Sequence, residues 1–408
     1  MASSATTPAP AGARSLISIF TIFLRLGLTS FGGPLAHFGF FRDEFVTRRR
    51  WLDDHAYADL VALCQFLPGP ASSQVGLAIG LMQRGYGGAA AAWLGFTLPS
   101  AAIMLACGYG MLAYGDVIPP DLLHGFKLAA LTVVASALFG MARNLCPGRL
   151  HAGFALIAAF AMLVGDSAWL QLAVIALAAL AGRCLLTPDA APTPTDGALR
   201  FGRVAAIVAA IAFGSLLVLL PLMALTMPAS GLLATADAFY RVGALVFGGG
   251  HVVLPMLQAE LVPPGWIDDS RFIAGYGVAQ ALPGPMFALT AYLGSVIEPA
   301  GVTGGLVGGI VALVAVFLPS FLILVAILPF WSIVRRLPAA RAALAGVNAA
   351  VVGLLLAALY DPVWTSSVDG ALDVALALVA LLALMVLRLP PWLVVVGMAG
   401  LTFAVGQL

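Results

Sequence analysis

The chain is short of charge. Only 9% of its 408 residues are Asp, Glu, Lys or Arg, against about a quarter in soluble globular domains. A surface that poor in ions cannot be hydrated all round, which excludes an ordinary water-soluble globule. Lys127 is the only lysine and the net charge is +1, so there is no basic tract or aromatic ladder for nucleic acid. Cysteine is scarce too: Cys64, Cys107, Cys146 and Cys184 lack CxxC spacing, which argues for inert apolar thiols rather than disulfides or a metal centre. No GxxxxGK[ST] loop, HExxH pair or nucleophile elbow occurs, so neither direct ATP drive nor an enzyme active site is indicated. No cofactor and no metal are expected.

What is present is apolar. Hydrophobic residues make up 62% of the chain and mean hydropathy is +1.05. Runs of about 20 apolar residues, each long enough to cross a bilayer core, recur from Leu16 onward. Because lipid offers amides no partner, such runs must be helices. The expected fold class is an all-α polytopic membrane protein. Residues 1–13 form an uncharged tail, and the first apolar run reads as a retained span rather than a signal peptide.

The chain repeats itself. Arg25, Gly27, Phe31, Gly32, Gly33 and Glu44 recur 216 positions later as Arg241, Gly243, Phe247, Gly248, Gly249 and Glu260. One residue of slippage on, Trp51, Asp53, Asp54 and Gln65 recur as Trp266, Asp268, Asp269 and Gln280, and LPGP at 67–70 recurs at 282–285. LPS at 98–100 then answers LPS at 318–320. Residues 1–186 and 230–408 read as homologous halves, and 187–229 as a Pro/Ala/Thr linker plus one unpaired apolar run. Six spans per half and the central one give about 13 transmembrane helices, with first spans at 15–41 and 57–81 and their counterparts at 232–260 and 271–296. Seven crossings separate the two starts, so the halves are expected to be inverted, as in many secondary transporters. With the N-terminus in the cytoplasm, most arginine-bearing loops face inward. Phe41–His55, carrying Arg42, Arg48, Arg49 and Arg50, falls outside. Making the LPGP segments re-entrant hairpins mends that loop but moves Arg335, Arg336 and Arg341 outside.

Arg25 and Arg241 each sit about ten residues inside a span, where an unpaired guanidinium costs several kcal/mol. Each is therefore either a structural ion pair or an anion ligand, for which the planar, permanently charged fork is well suited. Gly32 and Gly33, with Gly248 and Gly249, allow backbone to leave the helix and expose amides to an anion, or allow close helix packing. Pro68, Gly69, Pro70 and Pro283, Gly284, Pro285 force a break within an apolar run, and broken helices aim their N-termini at anionic substrates in transporters. Gln65 and Gln280 are candidate neutral donors. Glu44, Glu260, His37 and His251 are candidates for proton coupling, against solvated carboxylates and hydrogen-bonded fillers. Lys127, matched by Asn348, would make the halves electrically unequal.

FGGP and FGGGH, each followed by WxDD and QxLPGP and later by LPS, resemble the chromate ion transporter family in its long two-domain form. The resemblance covers nearly the whole chain outside the tail, linker and central run. It implies a multi-pass protein of the bacterial inner membrane that exports chromate, confers chromate resistance and is powered by the proton motive force. Chromate resembles sulfate in charge and shape, so sulfate uptake or sulfate/chromate exchange is the alternative, with an oxyanion channel as another class. Expected partners are the anion, protons, lipid and, as an option, a second copy in a homodimer. The expected carrier binds the anion between Arg25 and Arg241 while one repeat rocks against the other.

Overall fold

The computed structural model describes residues 15–114, 119–165, 168–187, 202–227, 230–247, 253–298, 304–334 and 337–406. Among them there is no strand. The first half contains α1 (Leu16–Thr29), α2 (Gly33–Arg42, continued by a wider turn over Asp43–Arg48), α3 (Asp54–Phe66), α4 (Ala71–Tyr114), α5 (Pro120–Leu145), α6 (Arg149–Val164) and α7 (Ala168–Leu185). After α8 (Arg203–Thr226) come α9 (Gly231–Leu245), α10 (Val253–Leu261), α11 (Asp269–Ala281), α12 (Leu289–Val296) and α13 (Gly305–Ile327). The single turn α14 (Trp331–Val334) leads to α15 (Pro338–Ala358), another turn, α16 (Thr365–Ser367), to α17 (Ala371–Met385), and α18 (Pro391–Gly406) ends the chain. Five stretches among the described residues are long and apolar enough to cross a membrane: Ala71–Tyr114, Pro120–Leu145, Arg203–Thr226, Gly305–Phe330 and Pro338–Ser367. Most of α8 faces outward, and its exposed Val204, Ile211 and Leu225 suit lipid rather than water.

The all-α, two-repeat architecture is as expected; the course of the first two segments in each half is not. Drawn straight, the eleven residues from Gly33 to Glu44 alone would rise about 16 Å, moving Glu44 away from Arg25. Instead Arg25 meets Glu44 at 2.5 Å, and Phe23 stacks on Phe45 at 5.0 Å. So α2 folds back beside α1, and 15–41 is a hairpin whose tip is the Ser30–Gly33 break. Gly32 and Gly33 make that break with φ of 98° and 75°, a region open to glycine and costly for other residues. The second segment folds back too. A Cβ on Gly76, just past LPGP, would lie 3.1 Å from Phe23 and 3.6 Å from Phe41, and Gly87 lies beside Leu16 at the start of α1. At Arg84 and Gly85, α4 itself turns; Gly80 and Gly88 then touch backbone to backbone, so a short arm returns and a long arm, 86–114, runs away.

The second half repeats this course. Arg241 reaches Glu260 at 2.7 Å across α9 and α10, and the Tyr292 hydroxyl of α12 donates to the Arg271 carbonyl near the start of α11. The outer ends of the hairpins are capped: Asp53 accepts from the Ala56 amide at 2.7 Å and Asp268 from the Arg271 amide at 2.9 Å. Four of the thirteen expected spans are thus hairpins, because a proline-glycine break ends a helix without fixing the direction in which the chain continues.

The halves are interlocked. Helix α5 of the first half packs on α17 and α18 of the second, while α15 of the second packs on α6 and α7 of the first. Glycines allow these approaches: Gly125 touches the α18 backbone at Ala399, and Gly346 the α7 backbone at Ala178. The expectation that one repeat rocks as a body against the other fails here, since such a motion would strip α15 from α6 and α7.

Candidate functional site

The two kinds of tip cross between the halves. The Gly69 amide donates to the Val246 carbonyl at 2.7 Å, and the Gly284 amide to the Ser30 carbonyl at 2.9 Å. Ser30 and Val246 are repeat equivalents, as are Gly69 and Gly284, so each LPGP tip is bonded to the residue that ends the first helix of the other half. Both LPGP glycines adopt positive φ, 116° and 91°. Each also abuts the LPS serine of the opposite half: a Cβ on Gly69 would collide with the Ser320 hydroxyl, and one on Gly284 would lie 3.1 Å from the Ser100 hydroxyl.

Where the Gly284 tip meets the first break, a cavity of about 170 Å³ is lined by Gly32, Gly33, Ser136, Gln280, Gly284 and Met286 among others. It is several times the volume one water requires. The helix starts beside it are bare: neither α2, behind Gly32, nor the turn Met286–Ala288, behind Pro285, has a side-chain cap. Unpaired amides at such an end attract an anion, though Pro34 in the first turn of α2 offers none. Around the tips, the Ser30, Thr97 and Ser320 hydroxyls and the Gln74 carbonyl oxygen are buried without partners, an uncommon state for buried polar atoms. The three hydroxyls can donate, whereas the Gln74 carbonyl oxygen can only accept.

The structure brings together only part of the expected set. Gly32, Gly33, Gln280 and Gly284 line one cavity, with Pro283 and Pro285 flanking its tip. Pro68, Gly69 and Pro70 form the other tip, where the Gln74 side-chain amide donates to the Pro68 carbonyl at 2.8 Å. Gln65 is exposed and Gln280 approaches the Met286 sulfur at 3.6 Å, so these repeat partners are not equivalent. Gly248, Gly249 and His251 lie outside the described residues. His37 is buried between the Ser30 carbonyl and the Ser72 hydroxyl, each at 3.2 Å, with its ring edge-on to Phe96. It holds the first break against the start of α4, as a hydrogen-bonded filler would.

Each of Arg25 and Arg241 has a carboxylate partner within its own half. Arg25 is committed to Glu44, which Arg48 and Arg49 also reach at 3.2 and 2.6 Å. Arg241 is committed to Glu260 and, at 3.2 Å, to Asp237. The placement of an anion between Arg25 and Arg241 gives way to two ion pairs that close their own hairpins. The physical reason is the fold-back, which delivers a carboxylate to each guanidinium. Glu44 is correspondingly buried, not solvated at a loop edge. Lys127 bonds the Ser366 carbonyl at 2.8 Å, away from the tips. Sequence reasoning overlooked Ser100 and Ser320, although LPS recurs, and Asp237, an acid inside an apolar helix four residues before Arg241.

The family model described as chromate transporter matches residues 17–183 and 233–403. The chromate transport proteins of Cupriavidus metallidurans and Pseudomonas aeruginosa are each 29% identical to the chain, over 87% and 88% of its length and 84% of theirs. An uncharacterized transporter of Bacillus subtilis is 30% identical over 39% of this chain and 80% of its own. No solved structure matches. Two matched repeats spanning most of its length show that the chain belongs to the chromate transporter family, a family of transporters rather than enzymes.

Proposed function

We propose that the protein is a secondary carrier that exports chromate across a bacterial inner membrane, confers chromate resistance and draws on the proton motive force. The relatives' names point to chromate, and the observation that carries the site is the pair of crossed bonds, Gly69 to Val246 and Gly284 to Ser30. These bonds gather bare helix starts from both halves at one place, and donors there act in a low dielectric where they are strongest. The dianion binds in the cavity lined by Gly32, Gly33, Ser136, Gln280 and Gly284. Hairpins then part from the opposite half on one side at a time, breaking one crossed bond while the other holds. A closed junction of this kind favours a carrier over a continuous pore.

The charge distribution supports the orientation. If all four hairpins re-enter from the side they left, the ends carrying Arg42, Arg48, Arg49, Arg50, Arg84, Arg143, Arg149 and Arg183 share a face with Arg341 and Arg388, while Arg271 and Lys127 fall near the other. The conflict met by re-entrance of LPGP alone disappears, and the arginine-rich face is cytoplasmic by the positive-inside rule. Five crossings, by the long arm of α4 and by α5 to α8, then separate the halves, and the odd number inverts them.

Uptake of radiolabelled chromate into everted membrane vesicles tests the reading. Saturable accumulation that follows an imposed proton gradient and is reduced by excess sulfate is expected. Uptake equal to that of vesicles lacking the protein contradicts export, and unitary currents in planar bilayers contradict a carrier.

A further inference from the structure

The repeat-equivalent ion pairs are electrically opposite. In the first half one carboxylate, Glu44, faces three guanidiniums, those of Arg25, Arg48 and Arg49. In the second half one guanidinium, Arg241, faces two carboxylates, Asp237 and Glu260. The first-half position equivalent to Asp237 is Thr21, whose hydroxyl donates to the Ser18 carbonyl, so this second acid has no counterpart. Asp237 is 6% exposed, and its Oδ1 is buried without a partner, as is Arg241 Nε.

Among the described residues, no neighbouring element supplies a balancing cation; His251, between α9 and α10 in sequence, lies outside them. Helix α13, the main neighbour of α9, has no titratable residue, and α8 offers only Arg203, at the end far from α9. Tyr240 on α9 donates to the Phe213 carbonyl. Against α10, α7 carries Arg183 and Cys184 at its final turn and α15 carries Arg341 in its first, both on the opposite face of the fold. On α11 stand Asp269, Tyr276 and Arg271, the last engaged by Asp268 at 3.4 Å. Two like charges sharing one partner away from water repel, and binding one proton relieves both the repulsion and the desolvation of an uncompensated charge.

We propose that Asp237 and Glu260 jointly hold one exchangeable proton on Arg241, and that this proton is the one coupled to anion movement; the coupling half rests on the proton-driven carrier reading. The Arg241–Glu260 contact ties α9 to α10, the arms of the hairpin whose break receives the Gly69 tip. Protonation shifts charge off that tie and frees the arms to part, whereas Glu44, with cations in excess, keeps the first hairpin closed. The second hairpin is the proton-gated one.

The test uses the full-length protein, as wild type, Asp237→Asn, Glu260→Gln and the conservative Asp237→Glu, in proteoliposomes. Two transport modes are read: chromate exchange without a gradient, and accumulation driven by a pH gradient. The two neutral variants should exchange chromate yet lose accumulation, and Asp237→Glu should restore it. Infrared difference spectra of purified protein should show a protonated-carboxyl band that titrates in wild type and is missing in Asp237→Asn. Gradient-driven accumulation retained in both neutral variants, or no such band in wild type, overturns the proposal. Should wild type exchange chromate but ignore the gradient, the proton-driven reading falls and the coupling with it, while the infrared band still decides whether the pair holds a proton.

Discussion

Replacing Gly69 with alanine probes the crossing of the halves. At φ 116° an L residue is strained, at a cost of about 1–3 kcal/mol, and the new methyl would collide with the Ser320 hydroxyl of the opposite repeat. Overpacking of this kind costs about 1–3 kcal/mol, and displacement of the tip also weakens the amide bond to Val246, worth about 1 kcal/mol. The expected loss is therefore about 3–7 kcal/mol, which in purified protein should appear as a fall in unfolding temperature on the order of 5–10 °C. Chromate flux should fall with it, because the tip helps to frame the anion's path. Adding Ser320→Gly removes the obstructing hydroxyl and should recover the steric part, about 1–3 kcal/mol, while the dihedral strain persists. Wild-type melting and flux in Gly69→Ala alone would refute the claim that this tip is seated in the other half.

Two further outcomes follow from the hairpins. Glu44→Gln leaves Arg25, Arg48 and Arg49 without their shared partner. Because these arginines are one-third to more than half exposed, the loss should be about 1–3 kcal/mol, below that of a fully buried pair; thermal unfolding measures it, and an unchanged melt contradicts the hairpin clasp. A cysteine at Arg50, in a version lacking the four native cysteines, should react with an impermeant thiol reagent from the same side as one at Gly85. A straight first span would put the two on opposite sides.

Much of this was legible in the sequence because breaks and caps are local. The repeat and the breaks at glycines 32, 33, 69 and 284 were readable from residue type and spacing. Direction after a break was not, since it depends on contacts between distant residues. A trace existed nonetheless: in each half the repeat carries a glutamate along with the arginine, Glu44 with Arg25 and Glu260 with Arg241, an opposite charge available to pair with it. The crossed bonds were unreadable for a deeper reason. They join backbone groups, Ser30 and Val246 carbonyls among them, whose side chains carry no signature. The exchange of α5 and α15 between halves likewise depends on three-dimensional packing that hydrophobic periodicity does not encode.

The most direct measurement is calorimetric titration of chromate into the purified protein, comparing wild type with Gln280→Leu, Ser136→Val and the paired Arg25→Gln, Glu44→Gln variant. If the anion sits at the crossed tips, the two cavity variants each lose a hydrogen bond to a charged ligand, about 1.5–3 kcal/mol, or at least tenfold in affinity, and the paired variant binds like wild type. Undiminished binding in the cavity variants together with its loss in the paired variant would contradict the account and return the site to the arginines.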